Sequence, residues 1–415
     1  MKAIKAFFSK VWAWVLAHKV IACIIAGVVV AGIVVAIVVP ISVSNAKKNQ
    51  QPTTSGPTTS GPTTSQPPVE EKFTVTWKDY AGNVLETDTN VVKGTVPTFD
   101  GTVPNKPSAY EDETYEAFKA WDKEVAAVTA DTVYTATYEA RPYNGEFPKV
   151  NAGGTKIKYG IYPQHVVVPS NLEDELNDLN DGSPVLDTRY EYQGKYYVKT
   201  TVDTEYNVYT YVGTDIPVTD GDEMWFKYEP IEWNVLKNDN GRYHLFSNIG
   251  LEFKAYDGTS LSTCSNNYKE SDIRSWLNGA FYQDAFKLND SFIKVTNVDN
   301  SAASTTVEPN DHACENTQDK VFLLSALELS NTYEYSFTDA SRKITVTDYC
   351  LAHGGYMNNN NTRVTGYWTR SPRENTGKST DKNRVKSVLN TGSVTSGDIG
   401  FYKNSIAPSI QITLS

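Results

Sequence analysis

Hydrophobic and polar positions fall into three regimes along the chain. From Val20 to Val39 every residue is uncharged and nearly all are apolar. As a helix, about 20 residues span roughly 30 Å, the thickness of a bilayer's hydrocarbon core. From Asn45 to Glu71 apolar side chains almost vanish, and Pro-Thr-Thr-Ser recurs at Pro52, Pro57 and Pro62. Such a segment can bury no core and is expected to be extended or disordered, reaching at most roughly 80 Å at about 3.1 Å per residue. After Lys72, period-two alternation takes over. Residues 73–77, 84–91 and 132–138 read as strands, with a turn at 79–83.

Further on, the pattern predicts a strand over 158–164 and a short amphipathic helix over 171–179, with Leu172, Leu176 and Leu179 on one face. Residues 190–211 read as one hairpin or two, turning at Gln193-Gly194. Strands at 225–236 and 243–247 flank the turn 238–241. One helix is capped by Ser271 and carries Ile273, Trp276, Leu277 and Ala280 on its apolar stripe; Asn278-Gly279 marks a stop or a bend. A second short helix is predicted after 323–325, containing Leu327 and Leu329. The tail reads as strands with turns at 390–392 and 396–397.

Charge orients this pattern. Lys2, Lys5, Lys10 and Lys19 precede the apolar run without an acid, and Lys47 and Lys48 follow it. The basic excess favours a cytoplasmic N-terminus, and Trp12 and Trp14 suit an interfacial anchor. The expected arrangement is a cytoplasmic basic segment (1–19), a transmembrane helix in the lipid bilayer (20–43), a Thr/Pro/Ser-rich stalk (44–71), a small β domain (72–141) and a large domain (143–415). The chain is thus expected in the plasma membrane as a single-pass protein with its C-terminal domains extracellular. A signal peptide cleaved near Ser44-Asn45-Ala46 is the alternative, although its apolar core would exceed the usual 7–15 residues or so. On either reading the later residues are expected outside the cell.

The chain carries a net charge of −11, and its first 48 residues hold six lysines and no acid, leaving −17 (−11 − 6) on the remainder. That field repels nucleic-acid phosphates, so nucleic acid is not an expected partner. Outside the apolar run only Cys264, Cys314 and Cys350 remain, with no Cys/His metal spacing. One disulfide with a free thiol, or none, are both compatible with this count. The 26 tyrosines mostly suit strand faces.

Two resemblances add to this reading. Residues 73–85, 91–97 and 118–140 hold, in order, a strand, an Asp-x-x-Gly turn, Val-x-x-Gly, Trp121-Asp122 and a closing Tyr134–Tyr138 strand. This order resembles the internalin-type B repeat of bacterial surface proteins, which implies a β-grasp-like spacer or weak adhesion module without catalysis. Tyr159–Gln164, Phe226–Leu236, Ser271–Phe286 with Asp319–Ser325, and Gly366–Pro372 resemble the DUF6273 family. The family's terminal strand often has Arg before Pro, where this chain has Ala407. The family's shape is similar to the C-type-lectin-like fold, shared with formylglycine-generating enzymes. That likeness implies an α+β domain in which two helices flank a small sheet and C-terminal loops build a binding face.

Several residues are candidates for ligand binding. Trp368, Arg370 and Arg373 combine a ring with guanidinium groups that can stack on a sugar or hold a carboxylate. Asn359 and Asn360, in the run 358–361, offer amides to sugar hydroxyls. The structural alternatives are a core tryptophan, an arginine fixing loop carbonyls and a solvated turn. Glu308-Pro-Asn310 lacks the downstream Trp-Asn-Asp that would complete a calcium site, which needs six to eight oxygens or so. No catalytic set, metal site or cofactor motif can be defended. The expected function is a membrane-anchored surface protein displaying a lectin-like module for a glycan, wall polymer or surface protein. The alternatives are an extracytoplasmic oxidase or wall-modifying hydrolase on the same fold, and a structural spacer.

Overall fold

The structure is a computed structural model that describes residues 69–179, 185–205, 208–258, 265–306, 310–398 and 403–414. The apolar run at 20–39, the repeats at 52–65, Cys264 and Glu308-Pro309 lie outside the described residues. No helix among the described residues is long and apolar enough to cross a membrane. Residues 70–415 form one unit, mostly β with a few short helices and no closed barrel.

Its first layer is a four-stranded sheet of β1 (Lys72–Lys78), β2 (Val84–Val92), β3 (Thr114–Trp121) and β4 (Thr132–Pro142), in the order β2-β1-β4-β3. The central pair β1/β4 is parallel and the outer pairs are antiparallel. Alternation in β1 sends Val75 and Trp77 inward, where Trp77 stacks on Tyr134 (4.5 Å between ring centres) and meets Trp121 at 4.7 Å. No helix lies between Lys72 and Pro142.

Polar contacts join this sheet firmly to the strands after residue 142. Lys149 Nζ, buried, donates to Ser108 Oγ and to the Asp112 carbonyl, both at 2.8 Å, and lies 4.1 Å from the Tyr143 ring centre. The Tyr110 hydroxyl donates to Glu232 at 2.6 Å, while Lys156 approaches the other Glu232 oxygen at 2.5 Å.

The larger body is built on β5 (Lys149–Val150), β6 (Lys156–Val166), β7 (Arg189–Tyr192), β8 (Lys195–Thr201), β9 (Glu223–Asp239) and β10 (Arg242–Ser247). The C-terminal strand Ser409–Thr413 inserts between β10 and Val321–Phe322. The β7–β8 hairpin pairs onto β9. A second, five-stranded sheet contains Tyr367–Pro372 between Lys403–Ile406 and Arg384–Val388. One large core joins both sheets, centred on Tyr159, Phe226, Trp233, Phe246 and Phe281. Gly160 is required where it stands. Its φ is +70°, and a Cβ there would sit 2.5 Å from the Phe286 ring.

The helix at 171–177 forms as expected, as does the one capped by Ser271, whose Oγ accepts from Arg274 N. Asn278-Gly279 does not stop it but falls in a distortion of it. Asp272–Trp276 continues through a π-helical turn, Leu277–Phe281, into Tyr282–Ala285, so that both Leu277 and Phe281 are buried. Asn278 clamps this turn to the neighbouring strand, donating to the Val321 carbonyl at 2.8 Å and accepting from Lys320 N at 2.8 Å. The helix expected after 323–325 is a single turn instead, closed by Ser325 and Glu328 bonding each other's backbone amides. A further helix, Asp348–Ala352, is wholly buried and capped by Thr347.

Candidate functional site

A half-open cavity of about 490 Å3 lies at the end of β9 and β10, under the turn after Ser325. Its floor holds two buried polar assemblies. In the first, Arg370 makes a bidentate pair with Glu328: Nη1 with Oε2, and Nη2 with Oε1 at 3.1 Å. Nη1 also donates to the Leu323 carbonyl at 2.9 Å and Nη2 to that of Asp299 at 3.2 Å, while Nε has no partner. Burial pushes the Glu328 carboxyl up, but the Arg370 guanidinium and the Ser325 amide outweigh it and hold the group below its ordinary value. The pair therefore stays ionised.

The second assembly is centred on His244. Ser409 Oγ donates to the Leu245 carbonyl at 2.6 Å. It must therefore accept from His244 Nε2 at 2.9 Å, which leaves Nδ1 to accept from the Tyr335 hydroxyl at 2.5 Å. This network assigns a neutral imidazole with its proton on Nε2. Burial depresses its pKa to about 4, consistent with that state. Neither assembly is a poised catalyst. The Ser409 proton is committed to a backbone carbonyl, both imidazole nitrogens are used, and Glu328 is neutralised by Arg370.

The rim is different. Arg242 is exposed and bonds only Gln411 through Nε at 2.8 Å; it has no ion-pair partner among the described residues. Tyr333 packs against Tyr335 (4.9 Å between ring centres), and no hydrogen bond among the described residues engages its hydroxyl. Lys237 bridges Asp239 and Glu334. The cavity thus offers fixed dipoles below and free donors above.

The five candidate residues do not converge on one cavity. Arg370 lines the one just described and is 2 % exposed. Trp368, also 2 % exposed, borders a separate, shallower groove. Its indole donates to the Lys254 carbonyl at 3.0 Å, and Gly397 packs against its ring so closely that a Cβ there would come within 3.0 Å. Arg373 faces Asp381 at 3.5 Å. The Asn359 side-chain oxygen accepts from Asn361 N and Thr362 N, and that of Asn360 accepts from Thr210 N at 3.2 Å. These amides close their own loop and tie it to residues 208–210. Cys314 and Cys350 are free thiols; Cys350 is buried beside Ser405 and Cys314 is half-buried. No group of three or more His, Cys, Asp or Glu side chains among the described residues is arranged to hold a metal.

Fold and cavity define a mostly β module built round a preformed polar pocket. Within it, residues 240–413 match the model of DUF6273, a domain of unknown function. No curated protein and no solved structure matches the chain. The matched segment begins at the β9–β10 turn, yet β9 pairs with β10 along its length and β6 pairs with β9. The physical body is therefore larger than the matched segment.

Proposed function

We propose that this chain is a membrane-anchored surface protein that binds a polar ligand, a glycan or wall polymer, in the cavity between Arg242, Tyr333 and Arg370. The finer family readings belong to the same proposal: a lectin-like head carried on a B-repeat-like β module, a stalk and one membrane-crossing helix. The observation that carries the binding reading is the preformed floor, in which the Arg370–Glu328 pair and the His244 network are already closed and only Arg370 Nε lacks a partner. Buried polar groups already paired in the free protein need no reorganisation on binding, and the free groups lie at the rim, where a polyhydroxylated ligand can reach them. Committed protons on Ser409 and His244 favour recognition over hydrolysis.

The test is to screen the chain against glycans, isolated wall polymers and surface proteins, then repeat the screen with Arg242→Ala and Tyr333→Ala. The proposal expects binding in at least one class and a loss of about tenfold, near 1.4 kcal/mol, in each variant. No binding above background in any class, or binding untouched by both substitutions, refutes it. The anchor is tested separately: deletion of 20–39 should release the protein from the membrane fraction.

A further inference from the structure

A second cavity, a trough of about 590 Å3, opens beside the strand Glu252–Ala255, away from Arg370 and His244. At its base Glu252 is buried. It accepts from the Tyr162 hydroxyl at 3.1 Å and meets His353 Nδ1 at 2.6 Å. Burial alone would raise its carboxyl, but the paired imidazole holds it below the ordinary value, so a negative charge is fixed at the base.

Two groups in the trough lack partners. Tyr349 packs edge-on to the His353 ring, 4.3 Å between centres, and is only 8 % exposed, yet its hydroxyl makes no hydrogen bond among the described residues. The ring is enclosed, but the hydroxyl reaches the open trough, where its oxygen is free to accept from a ligand. Asp187 is held in the left-handed region at φ 57°, and its carboxylate makes no hydrogen bond or ion pair among the described residues. Burial, then the charges of Glu252 and Asp187 among others, raise the Tyr349 phenol well above its usual value, so this hydroxyl keeps its proton.

The trough already accommodates ammonium groups of the chain itself. Lys403 Nζ lies 3.1 Å from Asp203, and Lys254 Nζ lies 5.2 Å from the centre of the Trp276 ring. Four acids (Asp187, Asp203, Glu252 and Asp272) face these two lysines and the His353 imidazole against Glu252, so carboxylates still outnumber basic side chains by one. The acids do not converge as metal ligands. An organic cation fits better, since it needs one carboxylate, one hydroxyl oxygen and aromatic walls rather than a closed oxygen shell.

We propose that this trough binds a primary ammonium group of a small polar ligand, with Asp187 accepting its charge and the Tyr349 oxygen accepting one of its protons. The site is independent of the Arg242–Tyr333–Arg370 cavity, so each can fail without the other.

Calorimetric titration of the full chain in detergent tests it with three probes: glucosamine, N-acetylglucosamine and Nα-acetyl-lysine methylamide. Either amine binding at least about tenfold more tightly than N-acetylglucosamine supports the proposal. Binding of glucosamine alone assigns the ammonium to a sugar; binding of the lysine derivative alone assigns it to a side chain. Asp187→Asn, which tolerates the left-handed backbone, should weaken the amine about tenfold, and Tyr349→Phe about threefold, with thermal midpoints showing that both variants fold. Arg242→Ala should leave the amine titration unchanged. Equal affinity for amine and amide, no amine binding at about 10 mM, or wild-type binding by a folded Asp187→Asn protein overturns it.

Discussion

His244 should make the protein lose stability on mild acidification, and the size of the loss follows from its burial. The folded state holds the imidazole neutral, bonded at both nitrogens and walled by Tyr335, Ser409 and Phe322. Glu328 and Glu334 favour a proton there, whereas Arg370 and Lys237 oppose it, and burial decides the balance. Because the folded pKa of about 4 lies below the ordinary 6.5, the unfolded chain binds a proton in that window that the folded chain refuses. The contribution is complete above the ordinary value and disappears as pH falls toward the folded one. At about 1.4 kcal/mol per pH unit, acidification from about pH 7 to about pH 4 removes about 3 kcal/mol. Urea unfolding of wild type and His244→Gln across this range isolates the effect, since other titrating groups such as His165 are common to both. The variant should start less stable but have the flatter acid limb, and proton NMR should show the His244 ring unprotonated until the pH approaches the folded value. An imidazole that titrates near 6.5 in the folded protein, or a stability difference that stays flat with pH, would falsify the neutral-histidine argument.

Four further outcomes rest on particular contacts. Arg370→Met strands a buried carboxylate at Glu328 and should cost about 3–5 kcal/mol in chemical unfolding, with the double variant Arg370→Met/Glu328→Leu recovering most of it; full additivity of the two single losses would contradict the pairing. Gly160→Ala should cost about 2 kcal/mol or more, because positive φ and the Phe286 ring both oppose a Cβ; a thermal midpoint equal to wild type would show the turn to be adaptable. Trp368→Phe should lower the thermal midpoint while leaving ligand affinity intact, since the indole is enclosed; lost affinity at wild-type stability would return Trp368 to the binding face. Glu232→Gln should loosen the junction at Tyr110 and Lys156, read as faster proteolysis between residues 142 and 149; unchanged cleavage would argue that Lys149 alone secures it.

Much of the architecture was legible because it rests on local periodicity. Alternation exposed β1 and β4, the turn at 238–241 marked the start of β10, and a serine cap with an apolar stripe exposed the helix at Asp272. The misses have specific physical origins. The π-turn at Leu277–Phe281 is set by Asn278 reaching Val321, a tertiary contact that overrides the local stop signal of Asn-Gly. The helix Asp348–Ala352 is buried on every side, so it has no amphipathic stripe to read. The turn after Ser325 carries a capping box but does not continue into a helix, and its Glu328 is paired with Arg370, 42 residues away in sequence. Of the candidate site, only Arg370 borders the cavity proposed for the ligand. His244, Tyr335 and Ser409 meet across separations of 91 and 165 residues, and no spacing rule reaches that far.

The junction around Glu232 changes how a display arrangement would work. Taken alone, residues 72–141 read as a β-grasp-like spacer or weak adhesion module. In the structure a buried lysine, a tyrosine hydroxyl and one cation–π contact tie that sheet to β5, β6 and β9. Lys149 is the telling group. Burial depresses its pKa, so leaving an ammonium there is favourable only while Ser108 and Asp112 supply acceptors. Pivoting would exchange those acceptors for water and would also break the Tyr110–Glu232 bond, so the contacts act together to hold the junction closed. On the proposed surface reading, the β sheet then serves as a rigid extension of the larger β body rather than as a hinge. Lys149→Met, which deletes two bonds across the junction, should therefore speed proteolysis between residues 142 and 149, and unchanged cleavage would argue that the Tyr110–Glu232 bond suffices.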